Sequence, residues 1–299
     1  MKKLIKIFFA LIFLLSNCNK TLKDHKKINV LVTIPPQIWF VKQIAGDNIS
    51  VSVIVKQGKS PHVFEPTPKE ILELSTSDLW ILSGVEIEKS IIPRIKNLNP
   101  NLIIFDSTTD IKFRNIENHN HTGNEHSQGK DPHIWLGCES SIIMASNICN
   151  ILVKIDPLHK KEYEKNFLQL KDMIHSLFKD LRKELSSFKG KKVFVYHPAF
   201  GYFLDEFGLI QRSIELEGKE PSPSYISSII KEILEEKPVA IFLQKELSDS
   251  IVKVIAKETD TKIIILDPLS EDWFSNIKNM GETLKESLAS SIRKGHDSQ

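Results

Sequence analysis

Eight short β-rich runs, separated by helical patterns and divided four and four by one long amphipathic segment, set the narrowest limits on how this 299-residue chain folds. Ile28–Ile34, Ser50–Val55, Asp78–Ser83 and Asn101–Phe105 read as strands in the first half. Lys191–Tyr196, Ile210–Leu216, Pro238–Leu243 and Thr261–Leu266 read as strands in the second. Helical patterns fall between most of them, notably Pro36–Gly46, Thr67–Ser75, Tyr225–Glu236 and Ser248–Thr259. Strands that alternate with helices imply parallel sheets covered on both faces, and four strands per half imply two similar α/β lobes. Between the halves, Asp156-Pro157 supplies an N-cap residue followed by proline at the first helical position. Apolar residues then recur in steps of three and four: Tyr163, Phe167, Leu170, Ile174, Leu177, Phe178, Leu181, Leu185 and Phe188, until Gly190. That periodicity predicts one helix of about 30 residues, ~45 Å long. It reads as a stiff strut packed along both lobes, the alternative being a long crossover helix within one domain. The expected organisation is an N-terminal lobe over 28–155, a linking helix over 156–189 and a C-terminal lobe over 190–299.

Composition excludes several classes. Apolar residues make up 41% of the chain and charged residues 26%, enough for two ordinary cores. The net charge of +2 comes from interspersed charges, with no basic stripe or aromatic-basic motif, so a nucleic-acid partner is not expected. The first 17 residues differ in kind. Lys2, Lys3 and Lys6 precede an apolar run from Ile7 to Leu15, which is the pattern of a signal peptide and too short to span a bilayer. Leu15-Ser16-Asn17-Cys18 resembles a bacterial lipobox, with Asn17 where Gly, Ala or Ser is usual, so Cys18 is the expected lipidation site and membrane anchor. Residues 18–27 read as a tether. The other cysteines, Cys138 and Cys149, would lie about 16 Å apart on one helix, beyond disulfide reach, and read as buried free thiols. Cys138 also lies near enough to His133 in sequence to be considered as a ligand.

Four metal-ligand side chains stand in proline-flanked contexts: His62 in Ser60-Pro61-His62-Val63-Phe64-Glu65-Pro66-Thr67-Pro68, His133 in Asp131-Pro132-His133-Ile134-Trp135-Leu136, His197 in His197-Pro198-Ala199-Phe200-Gly201-Tyr202-Phe203, and Asp267 in Leu266-Asp267-Pro268-Leu269. Their separations are far too long for a local zinc finger. They meet only if the fold brings four loops to one point. His197 and Asp267 directly follow predicted strands and His62 lies just beyond one, which is where ligands bind in open parallel sheets. Two lobes facing each other would contribute His62 and His133 from one side, His197 and Asp267 from the other, and hold a first-row divalent cation in the cleft between them. Such ligands must be deprotonated, so affinity is expected to fall through the histidine range. Just upstream of His133, residues 115–130 form a polar, histidine-dense stretch. There His119, His121 and His126 are candidates for weak auxiliary metal binding, the alternative being a solvated loop. His159 and His175, on the linking helix, read as structural or solvated.

These stretches, together with Glu217-Gly218-Lys219-Glu220-Pro221-Ser222-Pro223 and Asp267-Pro268-Leu269-Ser270-Glu271-Asp272-Trp273, resemble the TroA-like zinc and manganese solute-binding proteins of bacterial ABC transporters, in order from about residue 28 to 290. The resemblance implies two α/β lobes joined by one long helix. It also implies that His62, His133, His197 and Asp267 are the metal ligands, that a membrane permease is the partner, and that the protein works as a monomer outside the cytoplasm, in the periplasm or at the cell surface. Glu65 and Glu220 would then support loops or contact the permease. Manganese receptors of this kind tend to carry a carboxylate where His197 stands. Three imidazoles and one carboxylate favour Zn2+, with Mn2+ or iron as the alternative. An enzyme is not expected: no His-Glu-x-x-His helix and no Gly-x-Ser-x-Gly elbow occurs, and four protein ligands leave little room for a substrate. A surface adhesin carrying a metal site is a further reading.

Overall fold

The computed structural model describes residues 27–116, 129–215, 221–245 and 250–296, with side chains given to residue 290. Its N-terminal sheet contains β1 (Ile28–Val32), β2 (Ile49–Val53), β3 (Leu79–Leu82) and β4 (Ile103–Asp106). Its C-terminal sheet contains β5 (Lys192–Val195), β6 (Ile210–Ser213), β7 (Ala240–Gln244) and β8 (Lys262–Leu266). Every strand pair is parallel, and the spatial orders, β2-β1-β3-β4 and β6-β5-β7-β8, are the same permutation. The two-lobed α/β reading therefore holds, and all eight predicted strands are present. The central strands carry the continuous apolar runs: β7 is buried along its whole length and β3 at three of four positions. The outer strand β2 alternates exposed serines with the buried or half-buried Ile49, Val51 and Val53, as expected of a strand with one face towards the core and the other towards solvent.

Local chemistry sets the helix ends. Helix α1 (Pro35–Ala45) opens on two prolines and stops at Gly46, whose φ of +56° falls in the region that favours glycine. Helix α2 (Pro68–Leu74) is capped by Thr67, which exchanges hydrogen bonds with Glu70 in a capping box. After α3 (Ile87–Leu98), a short 3₁₀ turn at Ile134–Leu136 leads into α4 (Cys138–Ile155). Helix α4 is long and apolar enough to cross a membrane by composition. Here, however, it is a core helix that packs between α1 and the linking helix, with most of its side chains buried.

The linking helix α5 (Lys160–Leu185) runs 26 residues between 3₁₀ turns at Pro157–His159 and Ser186–Phe188, and buries Tyr163, Leu170, Ile174, Leu177, Phe178, Leu181 and Leu185. These are the stripe residues that the sequence periodicity picked out. Beyond it come α6 (Gly201–Asp205), α7 (Pro223–Glu236), α8 (Ser250–Thr259) and α9 (Trp273–His296). Helix α9 returns along α5, and at Gly281 any Cβ would clash with Leu181.

One buried core runs from the N-terminal lobe (Val30, Phe40, Trp80) through α5 (Tyr163, Phe178) to Val193, Phe203 and Trp273. A smaller cluster, including Phe194, Ile229 and Val252, belongs to the C-terminal lobe alone. Trp273 seals the join between the lobes. Its ring centroid lies 5.1 Å from that of Trp39 and 5.0 Å from that of Phe40, and its Nε1 donates to the Trp135 carbonyl at 2.6 Å. Trp135 in turn donates to the Pro268 carbonyl at 2.7 Å. Pulling the lobes apart would expose aromatics worth about 4–6 kcal/mol each at ~25 cal/mol per Å². The cleft is therefore largely preformed.

Candidate metal centre

Three of the four candidate ligands converge. His197 follows β5, His133 precedes the Ile134–Leu136 turn, and His62 lies on the long loop between β2 and α2, where its backbone N–H donates to Ser60 Oγ at 3.3 Å. One side-chain nitrogen from each ring lies within 4.8 Å of the other two. Ring centroids are 4.7 Å apart for His62–His197, 5.4 Å for His133–His197 and 6.1 Å for His62–His133. His133 and His197 are buried and His62 is exposed, so the trio closes from below and opens to solvent on one side.

Two carboxylates orient the buried rings. His133 Nδ1 meets Asp131 Oδ1 at 2.7 Å, and the His133 backbone N–H donates to the same oxygen at 3.0 Å. His197 Nδ1 meets Glu215 Oε2 at 2.9 Å. With Nδ1–H donating to a carboxylate, Nε2 keeps its lone pair for a metal. His197 Nε2 is buried with no hydrogen-bond partner. A buried polar atom of that kind is costly unless something binds it, and three imidazole nitrogens this close together are a donor set suited to a divalent cation.

Behind His133 the support reaches across the lobes. Asp131 is fully buried and accepts from Arg114 at 3.0 Å, and Arg114 also reaches Asp205 on α6 at 3.0 Å. Tyr202 Oη accepts from the Arg114 backbone N–H at 3.0 Å and donates to the Asp131 carbonyl at 3.3 Å. Gly201 leaves room for the guanidinium, because a Cβ there would clash with it. Burial pushes the Asp131 carboxyl up, but hydrogen bonds from His133 and Arg114 outweigh it and hold the group ionised.

Asp267 directly follows β8, as expected, but its carboxylate lies outside the cluster of three. Oδ2 accepts from Gln57 Nε2 at 2.9 Å and Oδ1 from the Leu269 backbone N–H at 2.8 Å. Its neighbours Pro268 and Leu269 line the same pocket as His62, His133, Trp135 and Gln244. Cys18, His119, His121 and His126 lie outside the described residues. The residues flanking 117–128 pair with each other, through Asn115 with Lys130 and Ile116 N–H with the Gly129 carbonyl. Cys138 and Cys149 are buried free thiols, and Cys138 groups with Glu139 and His175 rather than with His133. His159 has a structural role, with Nδ1 meeting Asp156 Oδ2 at 2.7 Å.

The orienting residues Asp131, Glu215 and Arg114 carried no assigned role in the sequence reading. Asp131 left a local trace, a carboxylate two residues before a histidine. Glu215 left none, because its position depends on the β5–β6 register, where Val195 pairs with Ser213.

Burial of the ring lowers the His62 pKa to about 3, with repulsion from His197 and His133 adding to it. His62 keeps an exposed face, where water screens part of this effect. Burial also lowers His133, against the pull of Asp131. Both rings therefore stay neutral to below the ordinary histidine value of 6.5, in the form that can coordinate a metal. Stability carries the same sign. Below pH 6.5 the unfolded chain protonates rings that the folded chain keeps neutral, so metal-free stability falls as pH drops from 6.5 towards 3. Melting curves of the metal-free protein should decline more steeply over that range than those of His62→Gln. Parallel declines would contradict the shift.

The family model described as zinc-uptake complex component A, periplasmic (ZnuA), matches residues 30–287. The chain belongs to this family. A crystal structure of ZnuA superposes with a TM-score of 0.81 at 30% identity, covering 88% of this chain and 100% of that one. The zinc-binding protein AdcA of Streptococcus pyogenes serotype M3 (strain ATCC BAA-595 / MGAS315) is 28% identical over 312 residues. The alignment covers 95% of this chain but 60% of AdcA, so the chain spans less than two thirds of that relative. The manganese ABC transporter substrate-binding lipoprotein PsaA of Streptococcus pneumoniae is 27% identical over 316 residues, covering 96% of this chain and 99% of PsaA. The family frame agrees with two parallel-sheet lobes joined by a long helix.

Proposed function

We propose that this protein is an extracytoplasmic receptor that captures a divalent cation, foremost zinc, in the cleft and delivers it to the membrane permease of an ABC transporter. The observation that carries this reading is the buried, unpartnered Nε2 of His197 within the trio of imidazoles. His62, His133 and His197 supply three ligands. Asp267 supplies the fourth from the C-terminal lobe once its carboxylate leaves Gln57. A shell closed by four protein groups holds an ion and leaves no open position for substrate, which favours capture over catalysis. Nitrogen-rich ligation favours zinc over manganese. Manganese is the second reading, favoured by the likeness to PsaA over nearly the full length of both chains. Metal analysis by mass spectrometry after purification without added metal separates the two. Zinc as the principal ion supports the first, manganese the second, and the absence of any bound transition metal contradicts both.

In the same reading residues 1–17 direct export, a lipid on Cys18 holds the monomer at the membrane, and residues 18–27 are the tether. His119, His121 and His126 collect metal weakly. Deleting residues 118–126 should therefore remove weak zinc binding and keep the tight equivalent, as measured by calorimetry. Loss of the tight equivalent would show that the segment builds the cleft. An adhesive role separates from uptake in a deletion strain: a growth defect rescued only by added zinc supports uptake.

A further inference from the structure

We propose a second metal site outside the cleft, formed by Cys138, Glu139 and His175, that takes a borderline or soft divalent cation such as zinc or cadmium. Cys138 and Glu139 open helix α4, and His175 faces them from the linking helix. Cys138 Sγ lies 3.8 Å from His175 Nδ1, and that nitrogen lies 3.8 Å from Glu139 Oε1. All three ligand atoms lie within 4.8 Å of one another. A tetrahedral zinc ion, about 2.3 Å from sulfur and 2.0–2.1 Å from nitrogen, sets those two atoms about 3.5 Å apart. Small side-chain rotations therefore close the site.

The chemistry of the set is selective. Thiolate with imidazole and one carboxylate suits zinc and cadmium and disfavours magnesium, calcium and manganese. As the metal–sulfur bond forms, the thiol proton passes to water, and thiolate and Glu139 together neutralise a dication. Arg182 is the nearby cation. Its charge is matched by Glu206, which pairs with Arg182 and also accepts from the Cys138 backbone N–H at 2.8 Å. Cys138 is buried, His175 half-buried and Glu139 exposed, so the sulfur is sheltered while water reaches the open side to complete the shell. An ion here would clip the start of α4, just after the His133 loop, to the linking helix.

The experiment uses the full exported chain loaded with one equivalent of zinc and then titrated with cadmium. Ultraviolet thiolate-to-cadmium charge transfer and calorimetry are followed together. One further equivalent that develops the charge-transfer band is expected. Cys138→Ser should abolish the band. His175→Gln and Glu139→Gln, at positions in contact with solvent, should each weaken the second equivalent at least about tenfold, no less than an orienting group costs, while leaving the first zinc equivalent unchanged. Absence of the band, its survival in Cys138→Ser, or unchanged cadmium affinity in His175→Gln overturns the proposal. If Cys138→Ser does not fold, the other two variants decide.

Discussion

Replacing His197 with alanine is expected to weaken zinc binding in the cleft at least about a hundredfold, with the fold retained. Substituting the groups that merely orient a metal-bound histidine costs about 10–100-fold, and His197 is proposed as a ligand. Its Nε2 is buried without a partner, so the metal-free protein loses no hydrogen bond at that atom. The loss on the fold side is the contact between Nδ1 and Glu215 at 2.9 Å, which leaves a largely buried carboxylate short of a donor. A moderate fall in melting temperature therefore accompanies a large fall in affinity. Calorimetry on metal-free protein, with circular dichroism to check the fold, reads both. Zinc affinity equal to the parent protein's would remove His197 from the site and, with it, the preference for zinc over manganese.

The second large effect is at Asp131, which binds no metal in this account. Asp131→Ala is expected to destabilise the metal-free protein by about 3 kcal/mol and to lower zinc affinity by about 10–100-fold. The stability figure follows from breaking a buried ion pair. It falls at the lower end of that range because Asp205 still faces Arg114 after the substitution. The affinity figure follows from freeing the His133 ring, whose Nδ1 and backbone N–H both bond the same carboxylate oxygen. Asp131→Asn separates the two effects. It keeps an acceptor for the ring and removes the charge opposite Arg114, so stability should suffer more than affinity. If Asp131→Ala left affinity unchanged, His133 would not depend on this carboxylate for its orientation.

Much of the fold was legible in the sequence for one reason: central strands of parallel sheets are buried on both faces and so read as unbroken apolar runs, as in β7. The stripe on the linking helix was equally readable, since a helix that packs along its length must repeat at three and four. Helix α3 was harder to see because Pro93 interrupts its interior. Helix α9 was not singled out, although its Trp273 seals the join between the lobes. At the site, the histidines were visible because prolines and strand ends mark them. Their supports were hidden where they depend on distant pairing. Glu215 reaches His197 only through the β5–β6 register, Arg114 is set beside Asp131 by the pairing of Asn115 with Lys130, and it reaches Asp205 only once the lobes are docked. His175, which reads as a structural or solvated residue on the linking helix, meets Cys138 only because α4 packs along α5.

Crystals of the zinc-loaded protein, measured on both sides of the zinc absorption edge, test the cleft most directly. The account predicts an anomalous peak between His62, His133 and His197, about 2.0–2.1 Å from one nitrogen of each, with the Asp267 carboxylate swung from Gln57 into the fourth position. Zinc bound stoichiometrically with no anomalous peak among those three rings would contradict it.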